Sequence, residues 1–217
     1  MNQTLWLSPR AVLPGALALL GLLALPAVRH ALEASMTLHM LVQYPLLALA
    51  GCIGARALPE RWRARASALR HWNAHGITGL FATALVLAIL MIPRVLDLAL
   101  TDPRVELGKM LALIFSGAAL QLSWRPAGLL VQGFFLGNVL PMMAVVGTLY
   151  ESSPVRICNA YLLDDQARLG QMLVWVSAGV ALIWFAGLVR ALMHREAAAP
   201  LPTPRTDPLP AGKSAAP

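Results

Sequence analysis

Apolar residues run along this chain in six stretches of about twenty, each broken by a short polar or basic interval. A run of that length spans the hydrocarbon core of a bilayer as a helix. The pattern predicts helices over roughly residues 11–28, 35–55, 75–92, 105–122, 128–149 and 169–191. Within the second run, Met36-Thr-Leu-His39-Met40-Leu-Val-Gln43-Tyr44-Pro45 is out of place. At helical spacing Met36, His39, Met40 and Gln43 share one face, and two thioethers, an imidazole and an amide have no reason to face lipid.

Composition supports the same architecture. Of 217 residues, 58% are hydrophobic and 12% charged, about half the charge of an ordinary globular domain. The fold class expected is all-α, a polytopic membrane helix bundle of about six transmembrane helices over residues 1–196. An Ala/Pro-rich tail, 197–217, follows without apolar periodicity and is expected to be disordered. The first run also resembles a signal peptide, but it is long for one and no Ala-x-Ala site follows, so a retained helix is the better reading.

The net charge of +7 suggests nucleic acid only until the basic residues are placed. They flank the apolar runs, as topology requires. With the segment Arg56–Arg70 in the cytoplasm, eleven Lys and Arg fall inside and five outside, with Lys109 in a span. Both termini are then cytoplasmic, and no nucleic acid is expected as a partner.

Orientation gives each span residue a depth. Met36, Met40, Met91, Met110, Met142, Met143 and Met172 all fall in the outer half, leaving Met1 aside and Met193 as the exception. Thioether and imidazole suit Cu(I), and an ionisable residue inside a membrane is a functional candidate by default. Methionine also fills gaps between helices without any metal. The candidate copper ligands are His39 and Met40, with Met36, Gln43, Met172 and Asp165 beside them. Glu106 and Lys109, three apart on span four, either pair with each other or reach toward this cluster. His71 and His75, four apart at the inner boundary, are a weaker metal candidate. Asp164 and Asp165 open span six, where acids also favour the helix dipole. Cys52 and Cys158 lie at different depths and form no C-x-x-C, so both are expected to be free thiols.

Leu149-Tyr150, Pro154-Val-Arg156 and Asp164-Asp165-Gln166-x-x-x-Gly170-x-Met172-x-x-Trp175 resemble the CtaG family of cytochrome c oxidase assembly factors. His39-Met40-x-x-Gln43-x-x-Leu46-Leu47 is similar to that family's early His-Met…Gln segment. The likeness covers about a third of the chain. It departs from the family where Tyr44-Pro45 replaces a second His, where Val155 separates Pro from Arg, and where Met172 and Trp175 are not adjacent. It implies a non-enzymatic protein of the bacterial inner membrane that carries Cu(I), transiently bound, during assembly of a haem–copper oxidase or another membrane copper enzyme. The partners expected are the bilayer, a subunit of that enzyme, a copper donor protein and a second copy of the chain.

Two other classes stay open: a structural subunit or scaffold of a membrane complex, and a transporter of a small solute or metal. A haem protein is disfavoured, because the candidate axial ligands do not lie at one depth. His39 is in the outer half, His71 and His75 at the inner boundary, and His30 and His194 at opposite faces, so a pair would have to come from a dimer. No P-loop, G-x-G-x-x-G, H-E-x-x-H or G-x-S-x-G occurs.

Overall fold

The computed structural model describes residues 9–57 and 73–197, and every one of its elements is helical. Residues 58–72, which hold most of the basic segment and His71, and the Ala/Pro-rich tail after Ala197 lie outside the described residues. Three helices are long and apolar enough to cross a membrane, and up to five spans result if two bent helix pairs each count as one.

The first expected span falls on one of these pairs. Helix α1 (Pro9–Ala24) ends where Leu25 is extended, and α2 (Pro26–Glu33) leaves at 69° with Pro26 in its first turn. Proline fixes φ and lacks an N–H, so it starts a helix and cannot continue one. Arg29–Glu33, expected as a polar turn, is therefore helical. The second pair repeats this design. Helix α4 (Ile77–Leu90) stops before the extended Ile92, and α5 (Pro93–Thr101) departs at 76°. The interval 93–104 between the third and fourth runs is thus mostly α5.

Helix α3 runs Met36–Ala57 and contains a π-helical turn, His39–Gln43, in which the Tyr44 amide bonds to the His39 carbonyl. Pro45 explains the widening. It offers no amide to the Leu41 carbonyl, and in a regular turn its ring would collide with that oxygen. Extra residues in such a turn re-aim the side chains around it, which is why π-turns cluster at functional sites.

Helix α6 spans Pro103–Ser152, 50 residues, but Gly128 interrupts it at φ 64° and ψ 175°. A straight helix of that length would reach about 75 Å, more than twice the hydrocarbon thickness. The break folds the chain back: Trp124 and Phe135 meet edge to face at 6.4 Å, and Leu120 and Val139 join one apolar cluster. The connection between the fourth and fifth runs, expected over residues 123–127, is therefore displaced to Gly128, where only glycine takes this backbone without strain. Helix α7 (Leu163–Ala197) begins six residues earlier than expected.

Helices α3 and α4 both pack on α6, and α1 packs on α3. The α3–α6 contact is backbone to backbone. A Cβ on Gly51 would lie 2.0 Å from the Ile114 carbonyl oxygen, and one on Gly117 would lie 1.8 Å from that of Ala48. The Cys52 thiol donates to the Gly117 carbonyl at 3.0 Å. Small residues at such crossings are how membrane helices approach closely. Around this crossing the buried core holds Met36, Met40, Tyr44, Leu47, Leu113 and Tyr150. Facing outward, Phe81, Leu130, Phe134 and Trp175 are at least two-thirds exposed, an inversion of soluble packing that suits lipid.

The chain divides into a compact unit through Leu182 and a second from Ile183. The described part of the second is the end of α7, on which Ile183, Phe185, Leu192 and Met193 are exposed.

A buried charge cluster around His39

His39 is fully buried, as is Gln43, and Lys109 is 2% exposed. The Lys109 ammonium lies 2.9 Å from His39 Nε2, 3.2 Å from Glu106 Oε2, 3.4 Å from Gln43 Oε1 and 3.5 Å from Glu33 Oε1. Each follows from helix geometry. Glu106 and Lys109 are three apart on α6 and share a face, the π-turn on α3 presents His39 and Gln43, and Glu33 ends α2 as the chain bends toward α3. Arg29 reaches Glu33 Oε2 at 3.6 Å.

This arrangement fixes the imidazole tautomer. An ammonium only donates, so Nε2 accepts from Lys109 and Nδ1 carries the proton. Nδ1 then donates to the Tyr161 hydroxyl at 2.7 Å, and that hydroxyl donates to the Glu33 carbonyl at 3.1 Å. The donors point one way from Lys109 through His39 and Tyr161 to the backbone. Tyr44 and Tyr161 pack against the imidazole edge to face, at 5.3 and 6.3 Å.

Tyr161 arrives from the loop between α6 and α7, which is held from several sides. The Asp97 carboxylate accepts from the Asn159 and Ala160 amides at 3.0 and 3.2 Å. Gln166 accepts from the Ile157 amide at 2.8 Å and donates to the Tyr150 carbonyl at 3.2 Å. Asp165 accepts from the Met36 amide and from the Ser35 hydroxyl at 2.9 Å; it caps the start of α3, where a carboxylate is favoured. Gly170 gives α7 its close approach to α6, since a Cβ there would meet the Gly147 carbonyl oxygen at 2.5 Å. Within the loop, Cys158 is 1% exposed. Burial, and then the Asp97 carboxylate, push its thiol up to about 12, against a hydrogen bond with Tyr150 that works the other way. Burial likewise raises the Tyr161 phenol.

Of the six candidate ligands, Met36, His39, Met40 and Gln43 are buried together on α3. Met91, Met110 and Met143 pack against the same core. Met172 is 43% exposed and stands outside this core, and both Asp165 oxygens are taken by the α3 cap. Neither joins His39. Among the described residues no three His, Cys, Asp or Glu side chains converge as metal ligands. Both cysteines are free.

The sequence pattern singled out Glu106 and Lys109 and left open whether they pair or reach toward the His39 cluster, and Lys109 does both; it passed over Glu33 and Tyr161. The signal at Glu33 was available: it is an acid immediately before a span that carries a histidine. Tyr161 had none, because a loop residue reaches a helix only through the tertiary fold. Comparison of the chain with protein-family models, curated proteins and solved structures yields no match.

Proposed function

We propose that this protein is a multi-pass membrane protein that handles Cu(I) on the extracytoplasmic side during assembly of a haem–copper oxidase or another membrane copper enzyme, in the manner of the CtaG-like factors it resembles. Copper is cargo here, and no catalytic step is assigned. The Gly128 reversal and the two bent pairs favour six spans, and the loop charges favour cytoplasmic termini in a bacterial inner membrane.

One observation carries the reading. His39 offers a single lone pair, at Nε2, inside a buried core that contains Met36 and Met40 and is flanked by Met91, Met110 and Met143. Imidazole with thioethers is a soft donor set, suited to Cu(I) over hard ions. Lys109 now holds that lone pair, so Cu(I) and the ammonium compete for one nitrogen. Each carries a single positive charge, so Cu(I) binding at Nε2 with release of one proton from the Lys109 ammonium leaves the charge facing Glu33 and Glu106 unchanged. A buried carboxylate stripped of its counter-charge costs several kcal/mol, which favours a monovalent cargo over a divalent one.

A structural subunit or scaffold is the second reading, favoured by the fact that both His39 nitrogens already have partners. Copper quantitation on detergent-purified protein under reducing conditions separates the two. The copper reading expects near-stoichiometric metal in the wild type and affinity lowered at least about tenfold in His39→Ala and Met40→Ala, in line with disturbed metal sites. A wild type without copper, or variants that lose stability but keep their copper, supports the scaffold.

A further inference from the structure

Beside the cluster lies a cavity of about 270 Å³, lined by Arg29, His30 and Glu33 on α2, by Thr101 at the end of α5, and by Asp102 and Glu106 at the start of α6. Glu106 is 6% exposed, and its Oε2 belongs to Lys109. Its Oε1 is buried without any hydrogen-bond partner. A carboxylate oxygen without a partner costs free energy unless something enters to meet it.

The charges indicate what enters. Glu33, Asp102 and Glu106 face Arg29 and Lys109, so three negative charges meet two positive ones; His30 lies on the exposed rim. The start of α6 offsets about half a charge, and it does so mainly through Asp102, whose Oδ1 accepts from the Arg104 amide at 2.8 Å. Glu106 keeps the excess. The one other buried polar atom on this wall without a hydrogen bond is Arg29 Nε, which is within 3.6 Å of Glu33 Oε2. An anion would gain Arg29 but would face three carboxylates, whereas a monovalent cation leaves the pocket neutral.

We propose that this cavity is a binding site for a small, hard monovalent cation, sodium or potassium, with Glu106 Oε1 as its central ligand and Glu33 as its neighbour. Oxygen-only donors suit such ions, which separates this site from the soft one at His39. The bound cation supplies the positive charge that Glu106 lacks and so anchors the α2–α6 wall on which Lys109 rests. The site is independent of the copper reading and survives its failure.

The test is thermal unfolding of the full chain in detergent, at fixed pH and ionic strength, with choline chloride replaced by NaCl or KCl. A midpoint that rises and saturates with one alkali cation is expected, and Glu106→Gln abolishes the rise. Because Glu106→Gln also disturbs Lys109, Ala34→Phe provides a second arm. Ala34 lines the cavity and is exposed, so the larger side chain fills the space without touching a charge, and it too abolishes the rise. Equal curves in choline, sodium and potassium overturn the proposal, as does a response that persists in Ala34→Phe. Stabilisation by acid alone, equal in all three salts, would show that a proton balances Glu106 and would also overturn it.

Discussion

His39 is held at both ring nitrogens, and the identity of each partner decides what it can do. Lys109 leaves it a neutral imidazole with the proton on Nδ1, the tautomer whose free lone pair is Nε2. Nearby, Cys158 marks the opposite extreme, a thiol whose burial keeps it protonated and inert. Its value is raised from about 9 to about 12, so the folded state binds the proton more tightly than the unfolded one. Stability from this group is therefore complete below pH 9 and falls as pH rises from 9 toward 12. Native protein should resist alkylation of Cys158 at pH 8.5, with labelling only once it is unfolded. Rapid labelling of the native thiol at that pH would contradict the burial. His39 was legible in the sequence because an ionisable residue inside an apolar run has few bland explanations. Asp165 was legible as an acid opening a span beside the methionines, and Gln166 only through the family resemblance; in the structure the Asp165 carboxylate caps the start of α3. A carboxylate two residues into a helix cannot announce, from sequence, which amides it will meet.

At the level of elements, the bundle is set by breaks as much as by runs. Pro26 and Pro93 each start a second helix at a bend, and Gly128 breaks α6 in two. Hydrophobic periodicity located the stretches but not the 69° and 76° bends, because a proline at a helix start and a proline in a kink look alike in sequence. The α3–α6 crossing rests on Gly51 and Gly117, whose missing side chains let two backbones touch. Gly117→Ala should lower unfolding stability in detergent by about 1–3 kcal/mol, the usual cost of overpacking. Gly54→Ala, where a Cβ meets nothing within 4 Å, should be neutral or gain up to about 1 kcal/mol from helix propensity. Equal effects at the two sites would mean that the crossing is not tight. Spacing alone could not have distinguished Gly51 from Gly54; only the facing helix does.

Across the whole molecule, one end of the bundle gathers the features that a membrane helix must justify: a π-turn, a buried lysine, two glutamates, a histidine and most of the methionines. Sequence orientation placed the methionines at one depth, and the fold brings five of them, Met36, Met40, Met91, Met110 and Met143, into or against one core. Convergence at a depth is what charge asymmetry can supply; convergence on an atom is not, which is why Lys109 at Nε2 emerged only from the three-dimensional arrangement. The central claim is that Cu(I) takes that nitrogen from Lys109. Nitrogen NMR of histidine-labelled protein, titrated with Cu(I) under reducing conditions, addresses it directly. The account predicts that the His39 Nε2 resonance shifts to a metal-bound value as one equivalent is added, while Nδ1 stays protonated toward Tyr161. Copper that binds while His39 Nε2 stays unchanged, or no binding at all, would contradict it.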